Sequence, residues 1–269
     1  MCRWLAYQGS PIYLENLLFL PEHSLVAQSQ QARQSLYQTN GDGFGLGWYT
    51  ERPRPGVYRE ILPAWNDENL KSLSRHVRSS LFMAHVRATS GTAIQRTNCH
   101  PFSYGPWLFQ HNGEIGGYLQ LKEALDLSVS SPYYPHMEGS TDTERLFHIA
   151  LSFGLETDPI NALRRMTERV EALREEYKIA DPLEMTLAVS DGRRLFALRY
   201  ASDGDAPSLF HNKNTTHALR DIFGNPETIP EDAIIILSEP LDDLSEHWEE
   251  IPASSILTVE AGKIITETL

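Results

Sequence analysis

The sequence predicts an α+β protein of mostly antiparallel sheets with helices segregated on their faces. Three observations predict it. Strand-like runs fill the first half, two amphipathic helices follow at 141–154 and 159–177, and strand-like runs then return, an order unlike the strand and helix alternation of a parallel sheet. The later strands are joined through short turns, Asp191-Gly192 and Ala261-Gly262, which suit antiparallel hairpins. Finally, 41% of the 269 residues are hydrophobic, enough for a sizeable core, and no repeat, low-complexity tract or long linker interrupts the chain. A single domain over 1–269 is the simplest expectation.

The elements follow in order. CRWLAYQ (2–8) reads as a strand, ENLLF as a short amphipathic segment, and SLVAQSQQA as a less regular one. NGDGFGLGWYT (40–50) is glycine-punctuated, the pattern of a strand that another backbone approaches closely. VYREILPAW (57–65) is strand-like, DENLKSLSRHV (67–77) is helix-like with Asp67 as its cap, and LFMAHVRAT (81–89) is a strand. WLFQHNGEI (107–115) reads as a strand ending at an Asn-Gly turn, and YLQLKEALD (118–126) as a helix. TDTERLFHIALSFG (141–154) begins with a Thr-x-x-Glu capping box, aligns Leu146, Ile149, Ala150 and Phe153 on one face, and stops at Gly154. PINALRRMTERVEALREEY (159–177) has Pro159 in its first turn. EMTLAVSDGRRLFALRYAS (184–202) is a hairpin, AIIILSEPL (233–241) contains a buried strand, and SILTVEAGKIITETL (255–269) is a final hairpin.

Charge and cysteine usage exclude several functions. Asp and Glu number 36 against 23 Lys and Arg, a net charge of −13 with no basic stripe, so nucleic acid is a poor partner. No apolar run has the length of a membrane span and the start is not a signal peptide, which predicts a cytoplasmic protein without membrane attachment. Cys2 and Cys99 are too few for a zinc site or a disulfide framework, and no HExxH spacing occurs; neither metal nor cofactor is expected.

Cys2 directly follows the initiator Met1. Removal of Met1 would leave a thiol and a free α-amine on one residue, a nucleophile carrying its own base of near-neutral pKa. Three polar stretches fit such a thiol: HVRATSG (85–91), QHNGEI (110–115) and GSTDTE (139–144). A γ-glutamyl amide presents an α-carboxylate, an α-ammonium and a carbonyl that becomes an oxyanion on attack. Arg87 can grip the carboxylate through a planar fork. Asp142, in the first turn of its helix, is kept ionised by the dipole and can hold the ammonium. Asn112 and Gly113 offer a side-chain amide and an unobstructed backbone N–H, the two donors of an oxyanion hole. Each residue also has an ordinary role, as a surface ion pair, a helix cap and a hairpin turn; their conjunction is what points to a site. His85, His100 and His111 adjoin these motifs and are read as loop-orienting hydrogen-bond partners, Cys99 as a packed thiol, and Trp48 and Tyr49 as core aromatics.

Cys after Met, HVR, HNG and STDTE, in this order, resemble the class II glutamine amidotransferases. The resemblance implies the N-terminal-nucleophile fold, a four-layer αββα sandwich of two mostly antiparallel sheets flanked by helices. It implies Cys2 as nucleophile, Arg87 as carboxylate binder, Asn112 and Gly113 as oxyanion hole, and Asp142 as amino-group binder. The larger synthases of the family space the assisting Thr further from the Arg; here Thr89 or Ser90 could serve. MCRWLAY, PEHSL, NGDGFGLGWY and NCHPF are similar to short stand-alone members such as the γ-glutamyl hydrolase of the ergothioneine pathway.

Only strands follow the last helix, leaving no room for a second catalytic domain, so ammonia is expected to pass to a separate chain or water to be the acceptor. The favoured reading is an amidohydrolase that releases glutamate from glutamine or a γ-glutamyl conjugate through a γ-glutamyl thioester, with a small-molecule substrate and possible homo-oligomerisation. The alternatives are a glutaminase subunit delivering ammonia to a synthase partner and a catalytically silent binding subunit. Acylases of the same superfold also begin with Cys, but HNG with STDTE favours glutamate recognition.

Overall fold

The computed structural model describes residues 2–32, 39–89, 91–213 and 230–269. Ser90 lies outside the described residues. In chain order the elements are β1 (Arg3–Tyr13), α1 (Glu15–Leu18), α2 (Leu25–Gln30), β2 (Phe44–Trp48), β3 (Gly56–Glu60), α3 (Glu68–His76), β4 (Arg78–Val86), β5 (Phe102–Tyr104) and β6 (Trp107–Ile115). They continue with α4 (Tyr118–Leu127), α5 (Asp142–Ser152), α6 (Pro159–Glu176), β7 (Leu183–Ser190), β8 (Leu195–Ala201), β9 (Phe210–Asn212), β10 (Ile234–Leu237), β11 (Trp248–Glu250), β12 (Ser255–Glu260) and β13 (Lys263–Thr268). Among the described residues these strands form two sheets, of order β11-β9-β10-β1-β4-β2-β3 and β13-β12-β8-β7-β6-β5. Every pairing is antiparallel.

Strand alternation separates three apolar layers. Trp4, Ala6, Leu81 and Met83 of the first sheet meet Leu108, Ala188, Ala197 and Leu257 of the second in the layer between sheets. The neighbouring residues Leu5, Tyr7, Phe82 and Ala84 point the other way, to a cluster with Leu17, Leu25 and Leu70 of α1, α2 and α3. The outer face of the second sheet packs Phe109, Leu187 and Leu198 against Leu121, Phe147, Leu163 and Val170 of α4, α5 and α6. The result is the four-layer αββα sandwich. Buried polar bonds tie its two sheets: Trp4 Nε1 donates to Thr186 O at 3.2 Å, and Gln110 Nε2 to Leu5 O at 3.0 Å.

Local chemistry sets the helix starts. Asp67 accepts from Leu70 N and caps α3, and Asp158 caps α6 ahead of Pro159. Ser24 likewise caps α2, so the irregular SLVAQSQQA stretch closes into a short helix. Thr141 accepts from Glu144 N, one half of the capping box. The other half is diverted: the Glu144 carboxylate accepts from Glu138 N and Gly139 N and pins the loop leading into α5.

Two expectations require correction. Asn112-Gly113 is not a turn; β6 runs through it to Ile115, with Asn112 opposite Thr186 and Gly113 opposite Met185. Gly113 adopts φ +148°, and a Cβ there would lie 1.9 Å from Glu184 O, so this strand irregularity requires glycine. The strand expected over 57–65 ends at Glu60, whose own carboxylate takes Ile61 N, and Pro63 leads into a short 3₁₀ turn. The three-residue strands β5, β9 and β11 carry too little pattern to be read from sequence.

Arg3 and Glu239 are both buried and pair at 2.5 Å. Replacing Glu239 with Ala leaves a buried guanidinium without its carboxylate, and we expect about 3–5 kcal/mol of destabilisation, read as a lowered urea midpoint at unchanged m-value.

Candidate active site

The first strand delivers Cys2 to the edge of a cavity of about 350 Å³ that Arg87, Thr89, Gly113 and Asp142 also line. The Cys2 thiol packs against the backbone of Ala88: its Sγ lies 3.4 Å from both Ala88 N and Ala88 O. Arg3 holds the Cys2 carbonyl through Nη1 at 2.8 Å. Burial pushes the thiol pKa up, while the Ala88 N–H and the charges of Arg87 and Arg3 pull it back.

Arg87 follows β4 and is 3% exposed. Its guanidinium donates to Asp42 O at 3.3 Å and to Thr92 Oγ1 at 2.6 Å, and among the described residues it pairs with no carboxylate. A buried cation held only by neutral oxygens is poised for an anion. The loop behind it is closed by Thr89, whose N–H donates to Asp42 Oδ2 at 2.8 Å and whose hydroxyl lies 3.0 Å from that of Thr92. Thus the hydroxyl in contact with Arg87 is that of Thr92, with Thr89 one step removed. Sequence reading missed Thr92, five residues from the Arg, and passed over Asp42 within a run read for its glycines.

Asp142 is the first residue of α5. Its Oδ2 accepts from Ile115 N at 3.0 Å and its Oδ1 from Thr143 N at 2.7 Å, which locks the carboxylate beside the end of β6. Gly113 lines the cavity, whereas Asn112 is 2% exposed and does not. Asn112 Oδ1 is buried without a hydrogen-bond partner. The two oxyanion candidates therefore differ in placement.

The three histidines are buried together at the site: His100 and His111 line the cavity, and His85 packs against them. His85 and His100 rings lie 4.1 Å apart, His85 Nε2 is 3.2 Å from His111 O, and His111 Nδ1 is 2.9 Å from Thr143 Oγ1. Burial lowers all three pKa values, His85 to about 3, and favours the neutral rings, against which Asp142 and the Glu184 carbonyl pull His111 back up. Cys99 is fully buried, does not line the cavity, and has its pKa pushed up to about 11 by burial.

This sandwich, with a thiol at the head of a central strand, is the architecture of the N-terminal-nucleophile amidotransferases. Phosphoribosylpyrophosphate amidotransferase of B. subtilis shares it with a TM-score of 0.63 at 15% identity, over 99% of this chain and 49% of that one. The family model of class-II glutamine amidotransferases matches residues 20–268, and the chain belongs to that family. A glutamine aminotransferase class-II domain protein from Silicibacter pomeroyi superposes with a TM-score of 0.74 and 34% identity, over 99% of this chain and 98% of its own. Among curated relatives, the chain is 33% identical to the probable glutamine amidotransferase DUG3 of Saccharomyces cerevisiae, over 98% of this chain and 83% of that protein. It is 26% identical to the γ-glutamyl-hercynylcysteine sulfoxide hydrolase of Mycolicibacterium smegmatis, over 100% of each.

Neutral native histidines have a consequence for acid stability. Below the unfolded-chain pKa of about 6.5 the unfolded state binds a proton that native His85 refuses until about pH 3, so stability falls as pH falls through that window, by about 1.4 kcal/mol per unit. Imidazole nitrogen shifts of His85 and His100 are expected to remain those of neutral rings at pH 5.

Proposed function

We propose that the protein is an amidohydrolase that cleaves a γ-glutamyl amide with Cys2 as nucleophile. The observation that carries this reading is the buried, carboxylate-free Arg87 guanidinium in one cavity with Asp142 and the Cys2 thiol. The opposite charges match the α-carboxylate and α-ammonium of a glutamyl group, and the relatives named as amidotransferases and γ-glutamyl hydrolases support the same chemistry.

Removal of Met1 frees the Cys2 α-amine, which takes the thiol proton as Sγ attacks the γ-carbonyl carbon. Charge developing on the carbonyl oxygen is met by the Gly113 backbone and the Asn112 amide, the latter after its side chain turns towards the cavity. The tetrahedral intermediate collapses by breaking the C–N bond, and the protonated α-amine of Cys2 returns its proton to the departing amine. Water then gives a proton to the α-amine and its hydroxide to the thioester carbon, releasing glutamate and regenerating the thiol. Thr92 and Thr89 hold Arg87 in the fork geometry that the carboxylate requires.

Glutamate release from γ-glutamyl amides by the processed protein is the direct test. Protein that retains Met1 or carries a blocked N-terminus is expected to be inactive, and full turnover by it would exclude the α-amine as base. Cys2→Ala is expected to fold and to lose turnover. A glutamine-like diazo-ketone should label Cys2 and spare Cys99, as mapped by peptide mass.

The clamp gives an independent check. Truncating either member of a charge pair that binding desolvates costs about 2–5 kcal/mol, so Arg87→Ala and Asp142→Ala should lose about 30-fold or more in kcat/KM. Arg87→Lys should fail nearly as badly as Arg87→Ala, because an ammonium cannot reproduce the two-pronged grip. Equal cleavage of esterified or N-acylated substrates would replace glutamate recognition with an acylase reading.

A further inference from the structure

The cavity contains one carboxylate that glutamate recognition leaves unused. Glu114 lines it and directly follows Gly113, at the site of the scissile carbonyl in the proposed reaction. Among the described residues its side chain makes no hydrogen bond and no ion pair, unlike Asp142, whose two oxygens are occupied by the N–H groups of Ile115 and Thr143. The charge balance of the cavity is uneven. Arg87 is its only Lys or Arg among the described residues, against the two carboxylates of Asp142 and Glu114. A γ-glutamyl group brings one carboxylate and one ammonium, which Arg87 and Asp142 neutralise, so Glu114 remains to face whatever hangs on the amide nitrogen.

The surroundings reinforce that sign. Burial pushes the Glu114 carboxyl up, which favours its neutral form, and Asp142, Glu184 and Asp181 push it the same way while adding their own negative charge to this side of the cavity. Glu184 is itself raised by burial and by Asp203 and Asp205. The nearby cation Arg174 is already engaged, by Glu171 and by Asp181 O. On the same rim, the first turn of α4 presents Leu119, 84% exposed, and the Gln120 amide, an apolar and a neutral surface.

We propose that Glu114 is a specificity-determining residue that makes the site prefer γ-glutamyl amides whose amine portion carries a positive charge on an alkyl stem and reject those whose amine portion carries a carboxylate. The inference rests on the γ-glutamyl reading of the cavity and names its substrate class. An exposed pair is worth less than a buried one, but attraction of a cation and repulsion of an anion act together, so about tenfold separates the two charge types.

Three nearly isosteric probes test it: the γ-glutamyl amides of 1,4-diaminobutane, n-butylamine and 4-aminobutyrate, with cationic, neutral and anionic ends. Their dissociation constants on the Cys2→Ala protein, measured by calorimetry at low and high salt, are expected to rise in that order, with about tenfold between cation and anion, narrowing as salt rises. Adding Glu114→Gln should collapse the ratio to within about twofold, and Glu114→Lys should invert it. Binding equal across the three probes, or a Glu114→Gln loss shared by all three, overturns the proposal, the second result placing Glu114 on the α-ammonium instead. Because the readout is affinity, the charge order is decided separately from glutamate release by the wild-type protein, whose absence would count against the proposed hydrolysis alone.

Discussion

The position of the thiol depends on a buried ion pair. Arg3 is the first residue of β1, and its guanidinium both pairs with Glu239 and holds the carbonyl of Cys2. Glu239 lies just beyond β10, the strand antiparallel to β1 on one side, while β4 flanks it on the other. Gln28 of α2 donates to Glu239 O, linking the helical layer to the same point. A charge pair in the interior contributes little net stability, because desolvation offsets most of its Coulomb energy. Its value here is geometric: it fixes the first peptide of a strand end, which fraying would otherwise leave loose.

From that fixed point the site is assembled by backbone approach. Arg87 N donates to Gly43 O and Asp42 N to Arg87 O, so the 40–45 stretch runs against the segment that carries the guanidinium. A Cβ on Gly45 would lie 2.0 Å from His100 O, which means the loop after Cys99 can pack on β2 only where that side chain is missing. The same loop brings the His100 ring onto His85 and Phe102. The glycines of NGDGFGLG thus let the segments that carry Arg87 and His100 close on this stretch, and none of them lines the cavity.

Much of this was legible in the sequence, and the parts that were not share a physical cause. Long elements with strong periodicity, such as α5, α6 and the β7–β8 pair, are written by local burial patterns and caps. The motif residues Cys2, Arg87, Gly113 and Asp142 converge on one cavity because each sits at the end of such an element. The run through Asn112-Gly113 was misread because the dipeptide favours a turn in isolation, and it is the pairing with β7 that keeps it extended. Thr92 and Asp42 act through loop contacts whose geometry no spacing rule encodes. Glu114 lies one residue past the Asn-Gly pair, and no spacing rule marks it, because its proposed role rests on its side chain having no partner among the described residues.

The electrostatics of the cavity follow from what burial has done to the histidines. Had His85, His100 and His111 been charged, three further cations would stand beside Arg87 at the cavity. Burial lowers their pKa values and favours the neutral rings, and Thr143 and the Glu184 carbonyl hold His111 by hydrogen bonds. Among the described residues, the Arg, Lys, Asp and Glu side chains that line the cavity are then few, Arg87 against Asp142 and Glu114. Each acts with little competing charge in a partly enclosed pocket, where Coulomb terms exceed their value in water. In the proposed reaction, such a small set of charges would read the charge pattern of the ligand, first on the glutamyl group and then on the group that leaves.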